Sequence, residues 1–413
     1  MNVLFQTLLP FLGIIVFLIV VHELGHFVTA KLAGVKVLEF GIGYPPRIWG
    51  IRRGETEYTV NAVPLGGFVR LLGEEDPSDP RSLAAKPRWV RIVVLASGAG
   101  MNLVLAVFLF ALALSIPREV DVGKAVIVDV QPNSPAERAG LRAGDVILEV
   151  EGREIQNVGD VSRQVLLHLG QDVAFVVKRG QEIVTTEAHA RFDPPDAIDP
   201  KTGQAAKDYE TCETLQQGAT GITVAPAFGS VRALPEEERQ RRLDELRALP
   251  CAPTNLELAD IPQFEVTPFT EVQRETPWAA LKDGARISYE SLILARNEVI
   301  RWVTGGSRPQ LSGPVGIAQA TGEVVKEAGW KSLMDFAGLL SINLAILNIL
   351  PLPMLDGGRV VFVLLEIARG GRRIAPQKEA VVHFIGLVAL LTFAVVITYF
   401  DILRIFQGRS LLQ

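Results

Sequence analysis

Cysteine is almost missing. The 413 residues contain two, Cys212 and Cys251, too few for a disulfide framework or a cysteine-rich metal site. Excess positive charge is missing too. The formal net charge is −5, which leaves no basic surface for nucleic acid. No Lys or Arg precedes Lys31, and no small-x-small cleavage site ends the first apolar run. That run therefore lacks the marks of a cleavable signal peptide and is expected to be retained. No long internal repeat is visible, and the composition excludes collagen, coiled coil and full disorder.

What is present is apolar surface in excess: 48% of the residues are hydrophobic, gathered in four long runs with little charge. About 20 apolar residues make a helix long enough to cross about 30 Å of hydrocarbon. The pattern predicts a polytopic α-helical membrane protein with spans over 1–33, 90–116, 332–352 and 378–404. Between the first two lies a membrane-associated β region, 34–89, in which EFGIGYPPRIWG and ETEYTVNAV flank the turn-like IRRGE. Residues 353–377 form a Pro/Gly-rich break and a basic loop, RGGRRIAPQK, before the last span, and 405–413 are a tail. Lys and Arg concentrate in 31–91 and in the loop between the last two spans, which places both loops inside and both termini outside.

The polar region between the second and third spans falls outside on that topology. Residues 117–230 read as one β-rich unit, with strand-like AVIVDV, DVILEVEG and VAFVVKRG, helix candidates at NSPAERAGLRAGD and VSRQVLLHL, and GATGITVAP as a late strand. Residues 193–217 are polar and read as an insertion. Residues 231–331 are expected to be a charged linker, PEEERQRRLDELRALP with a solvated face, followed by an amphipathic helix along the membrane surface.

Chemistry concentrates in the first run. His22-Glu23-Leu24-Gly25-His26 spaces two histidines by four residues, so both imidazoles leave one face of a helix and can hold a single Zn²⁺. Glu23 lies beside them as general base for a water. Ionisable groups are costly in a membrane-spanning helix without a partner or a function. Leu24, Phe27, Val28 and Ala30 continue the apolar pattern beyond the motif, which argues against polar residues merely reaching the interface at a helix end. A catalytic zinc takes three protein ligands. His168 and His189 lie in the polar unit, and His383 starts a helix, where a lone histidine is more often structural. Asp356 is the better third ligand. It follows the helix-breaking Pro351 and Pro353 and precedes Gly357 and Gly358. Irregular backbone at membrane depth is tolerated only where it lines a cavity or is covered by protein.

HELGH in the first span, a unit with the Gly-Leu-x-x-Gly-Asp turn, and the NxxPxPxLDGG segment from Asn348 to Gly358 together resemble the site-2 protease family of intramembrane zinc metalloproteases. The bacterial regulator-of-sigma-E type is the nearest in pattern. EFGIGYPPRI, PLGGFVRLLGE and LSGPVGIA extend the resemblance over nearly the whole chain. It implies that His22, His26 and Asp356 bind Zn²⁺, that Glu23 is the general base, and that the polar unit is PDZ-like. The GxxxN element corresponds to Gly98–Asn102, with Ala99 where proline is frequent, and the asparagine of NxxP to Asn348. Asn102 and Asn348, with Gly41, Gly43, Gly66 and Gly67 of the β region, are expected to handle an unwound substrate. Substrates would be single-span membrane proteins, first trimmed by an upstream site-1 type protease, with the PDZ-like unit as a size filter. The chain would sit in a bacterial inner membrane with the active site toward the cytoplasm. One such unit rather than two, and the insertion, depart from the nearest relatives. On the oxidising side Cys212 and Cys251 could pair or stay free. A catalytically silent adaptor is the alternative, and intact Glu23 and Asp356 argue against it. A transporter is disfavoured, since four spans make a thin pathway and leave HELGH unexplained.

Overall fold

A computed structural model describes residues 4–74, 76–199, 202–306 and 312–406. In chain order, a short π-helical stretch, Leu4–Leu8, leads into α1 (Leu9–Leu32). The strands β1 (Val37–Arg53) and β2 (Thr56–Leu71) and the helix α2 (Arg88–Ser115) follow. The polar region begins with β3 (Arg118–Val122), β4 (Ala125–Val130), α3 (Pro135–Arg138), β5 (Val146–Val150) and β6 (Arg153–Glu154). It continues with α4 (Val158–Leu167), β7 (Asp172–Arg179), β8 (Glu182–His189), β9 (Ile222–Pro226) and β10 (Gly229–Ala233). After α5 (Glu236–Arg247) and β11 (Phe264–Gln273), the helices α6 (Pro277–Thr304), α7 (Pro314–Glu327), α8 (Gly329–Ile349), α9 (Asp356–Ala368) and α10 (Pro376–Phe406) complete the chain. Among the described residues four helices, α1, α2, α8 and α10, are long and apolar enough to cross a membrane.

The chain divides into two units. The first comprises Met1–Ile116, Glu275–Ser291 and Gln310–Gln413. Its centre is α2, whose buried positions Val94, Leu95, Gly98, Asn102, Ala106, Leu109 and Ala113 recur every three or four residues along one stripe. The facing stripe of α8, Ala337, Gly338, Ser341, Ile342 and Ala345, is mostly small. Small residues let backbones approach where lipid offers no hydrophobic drive between helices. Accordingly Ser341 Oγ donates to the Asn102 carbonyl at 2.8 Å. Helix α10 is held at separate points. His383 Nδ1 accepts from the Met354 amide at 2.8 Å, and Asp401 Oδ2 accepts from the Gly313 and Gly316 amides at 2.9 and 2.8 Å.

Strands β1 and β2 are each bent, so two strands make four antiparallel segments. Residues Glu39–Ile42 pair on one side with Glu57–Val60 and on the other with Gly67–Arg70, while Arg47–Arg53 pairs with Thr56–Asn61. The segment ending at Leu71 is thus an edge with no further strand among the described residues. Val35, Val37, Leu71 and Leu83 pack with Ala30, Val94, Leu95 and Val363 in one buried cluster, which joins the sheet to α1, α2 and α9.

The second unit, Pro117–Arg274 with Leu292–Pro309, contains the sheet β8-β7-β5-β4-β9 with β6 on β5. Ile127, Ile147, Val150, Phe175 and Val177 are fully buried beneath it, each contributing about 1.5–3 kcal/mol relative to exposure. The Gly-Leu-x-x-Gly-Asp turn is closed by Asp145. Its carboxylate accepts from the Arg142 amide at 2.9 Å and from Arg179 Nε and Nη2 at 2.8 and 2.7 Å. Cys212 and Cys251 form a disulfide, which ties the insertion to the segment after α5.

Several expectations need correction. Residues 353–377 are not only a break and a loop: Asp356–Ala368 is helical, because Pro351 and Pro353 end α8 and the apolar run after Gly358 restarts a helix whose Val363 is buried. Residues 231–331 are not mainly a linker. Strands β10 and β11 join β3 in a three-stranded sheet, so a boundary after residue 230 cuts through β10. Strand β11 meets β10 across more than thirty residues and β3 across more than a hundred, so no local pattern announces the sheet. Within the expected β region, 34–89, the two strands cover Val37–Arg53 and Thr56–Leu71. Leu311 of LSGPVGIA and residues 407–413 of the tail lie outside the described residues.

Burial pushes the Asp145 carboxyl up, but the Arg179 guanidinium and the Arg142 amide outweigh it and hold it below the usual carboxylate range. A lowered folded-state pKa stabilises the fold above the unfolded value near 4, and that contribution is lost as pH falls through the folded value. Asp145→Ala should therefore destabilise the unit by about 2–4 kcal/mol at pH 7. The difference from wild type should shrink as pH drops below about 4. Hydrogen exchange in β4, β5 and β7 of the full-length protein measures both.

Candidate metal centre

His22, Gly25 and His26 lie on the buried face of α1, with Leu18 one turn before them and Ala30 one turn after. The helix brings the two Nε2 atoms to 3.2 Å from each other. Asp356 arrives from the other end of the chain, as the first residue of α9. Its Oδ2 lies 3.0 Å from His22 Nε2 and 3.1 Å from His26 Nε2, across separations of 334 and 330 residues. One potential ligand atom from each residue falls within 4.8 Å of the others.

The surroundings fit a cation. His26 Nδ1 lies 2.8 Å from the Val94 carbonyl, which can only accept. Nδ1–H can therefore donate to that carbonyl, which leaves Nε2, beside His22 and Asp356, as the nitrogen available to a metal. Two imidazoles and one carboxylate match the donor set of a catalytic zinc, which keeps one position open. The cradle is set by Gly98 on α2. A Cβ there would lie 2.4 Å from His26 Nε2 and 2.5 Å from His22 Nε2, so no other residue fits. Asp356 is delivered by a similarly tight turn. A Cβ on Gly357 would meet the Ile349 and Leu350 carbonyls at 2.3 and 2.2 Å. Glu23 is half-buried beside the three and close enough to interact electrostatically with each; the Val69 backbone of the sheet edge lies near its carboxylate.

Comparison with known proteins places this site in a family. Residues 10–393 match peptidase family M50. The chain belongs to that family. A candidate zinc metalloprotease of Clostridium perfringens is 31% identical over 389 residues, covering 94% of this chain and 95% of its own length. Zinc metalloprotease RasP of Oceanobacillus iheyensis is 26% identical over 483 residues, covering 97% and 99%. A candidate zinc metalloprotease of Agrobacterium fabrum is 26% identical over 414 residues, covering 96% and 95%.

The other expected site residues of this M50 chain divide by position. Gly67 lies against α1, its α-carbon facing Glu23 and Val20, and Gly66 faces Ile19. Gly41 packs under the Phe68 ring, and Gly43 turns the chain against the Val63 and Asn61 carbonyls. Asn348 is half-buried in the last turn of α8. Asn102 is fully buried, its amide 3.4 Å from His22 Nδ1. His383, weighed as a ligand, caps the turn before Asp356 and is not in the metal-ligand cluster.

Sequence reasoning missed the Val94 carbonyl, since a backbone atom leaves no signature. It also missed Glu366, a buried glutamate one face along α9 from Asp356. Glu366 Oε2 is 2.6 Å from Arg91 Nη1, and its Oε1 is 3.3 Å from Arg88 Nε and 3.6 Å from Arg373 Nε. A lone acid inside the apolar run VVFVLLEIA was the available signal.

Gly98→Ala should cost the protein its metal, lowering zinc retention about 10-fold or more, because the added methyl occupies the space of the ligand atoms. Gly100→Ala, two residues on with nothing within 4 Å, should retain zinc as wild type. Zinc content after dialysis against a graded chelator distinguishes them.

Proposed function

We propose that this chain cleaves peptide bonds within the membrane-spanning segments of single-span membrane proteins. Its family and relatives make it a zinc metalloendopeptidase, a multi-pass membrane protein by its four apolar helices. One observation carries the finer reading. The two histidines and the aspartate converge among membrane-length helices, with the acid of HELGH beside them. His22, His26 and Asp356 hold the zinc, which when bound supplies a Lewis acid that polarises a peptide carbonyl and makes water more acidic.

The rest is work for the chain. Glu23 takes the proton of the attacking water and returns it to the departing amide nitrogen as the tetrahedral carbon collapses. A substrate helix hides its peptide bonds in its own hydrogen bonds, so it must be drawn out before attack. The sheet edge beside Glu23 can pair with the extended segment, with Gly66 and Gly67 letting backbone come close and Gly41 and Gly43 shaping the sheet behind it. Asn348, one turn before the break that presents Asp356, is placed to contact the drawn-out backbone.

The second unit acts as a PDZ-like filter that admits substrates already trimmed by an upstream protease. Its antiparallel sheet and Gly-Leu-x-x-Gly-Asp turn support that reading, and the disulfide supports an extracytoplasmic location. The basic loops then face the cytoplasm of a bacterial inner membrane, with the catalytic centre toward that side. An adaptor that had lost catalysis would not need both Glu23 and the Asp356 contact.

Glu23→Gln should bind zinc as wild type yet cleave a single-span model substrate at least about 100-fold more slowly. A chelator should stop the wild type, and added zinc should restore it. Equal cleavage by both proteins, or cleavage indifferent to the chelator, refutes the protease reading.

A further inference from the structure

Helix α2 supplies the outer partner of His26 through the Val94 carbonyl, and the remaining question is what orients His22. The residue against its far nitrogen is Asn102, one turn beyond Gly98 on the same face of α2. Its side chain is 0% exposed, so it has no surface to offer a substrate in this conformation. Its backbone is pinned by Ser341 Oγ. Its Nδ2 lies 3.4 Å from His22 Nδ1, while its Oδ1 has no hydrogen-bond partner among the described residues.

The oxygen and nitrogen of an amide have nearly the same shape, so hydrogen-bond chemistry decides which faces the ring. The number of bonds does not choose, since one end of the amide stays unpaired either way. The ring chooses. A His22 that offers its Nε2 lone pair alongside His26 and Asp356 must carry its proton on Nδ1, and only an acceptor can face that proton. We infer that Asn102 is a positioning residue whose Oδ1 accepts from His22 Nδ1–H, so that one helix orients both histidines of the metal centre.

The role rests on the reading of His22, His26 and Asp356 as zinc ligands. It replaces, for Asn102, a contact with substrate by a contact with a ligand. Outer partners of ligating histidines fix the tautomer and ring direction, and their loss weakens metal affinity about 10–100-fold.

The test uses full-length protein in detergent, with zinc alone and cobalt alone as probes. Wild type, Asn102→Leu, Asn102→Asp and His22→Ala are compared by chelator competition and by the visible absorption of the cobalt form. Asn102→Leu, which cannot accept a proton, should hold zinc about 10-fold or more weakly and alter the cobalt spectrum. Asn102→Asp, which can accept one, should hold zinc nearly as wild type. At saturating zinc the Leu variant should recover turnover with its KM unchanged. Wild-type zinc affinity in Asn102→Leu with a raised KM would make Asn102 a substrate contact and overturn the inference. Equal zinc loss in both variants would reduce Asn102 to packing and overturn it as well. Thermal unfolding of the metal-free variants checks folding. Should the Leu variant not fold, the near-isosteric Asp variant decides: weakened zinc binding then counts against the inference. His22→Ala is the separate control, because undiminished zinc there defeats the ligand reading itself.

Discussion

Two imidazoles and two carboxylates lie among apolar helices, and none of them can be left without a partner there. Meeting that constraint shapes the first unit. Ligand atoms within hydrogen-bond reach of one another require α1, α2 and the start of α9 to come together closely. The neighbouring helices are therefore lined with small residues: Gly25 lies against the Ser97 carbonyl, Gly98 against both imidazoles, and Gly338 against the Phe110 ring. Bulk at these points would separate the helices and strand the polar groups.

The parts that hold α9 in place matter as much as the ligands. Asp356 is the first residue of a helix that begins after two prolines, so its direction depends on how that helix is moored. Two moorings are evident. Met354, just before it, donates to His383 of α10. Glu366, ten residues beyond it, is buried against Arg91 and near Arg88 of α2. Breaking such a buried pair by removing one partner is costly because the other charge remains. Helix α2 thus anchors the helix that bears Asp356 and also supplies the Val94 carbonyl and the Asn102 amide for the histidines. The sheet adds its part from the other side, where the Val69 backbone lies near Glu23 and the cluster around Val37, Leu71, Val94 and Val363 fixes the sheet to the helices.

Much of this was legible in the residues. HELGH puts two imidazoles on one helix face because a spacing of four is a property of any helix, whatever surrounds it. The four membrane-length helices follow from apolar runs that no other setting accommodates so readily. Asp356 was legible for a weaker reason: a carboxylate among prolines and glycines at the end of an apolar run calls for an explanation. What could not be read were features that depend on distant partners. Helix α9 was hidden because its apolar run followed so many turn-forming residues, and β3 and β11 because each meets its partner only after a long excursion of the chain. Asn102 was visible as a residue, but nothing local says whether an asparagine faces a groove or a buried ring.

The sequence by itself determined which chemical groups are present, that they lie in apolar segments, and that one helical turn carries two of the donors. Those are local matters, decided by helix geometry and by the cost of polar groups in hydrocarbon. Only the tertiary structure decided that Asp356 crosses 330 residues of chain to reach His26, which nitrogen of His26 faces the Val94 carbonyl, and that Gly98 lies against both imidazoles. Those depend on distances between helices, and such distances are set by packing that no single segment contains.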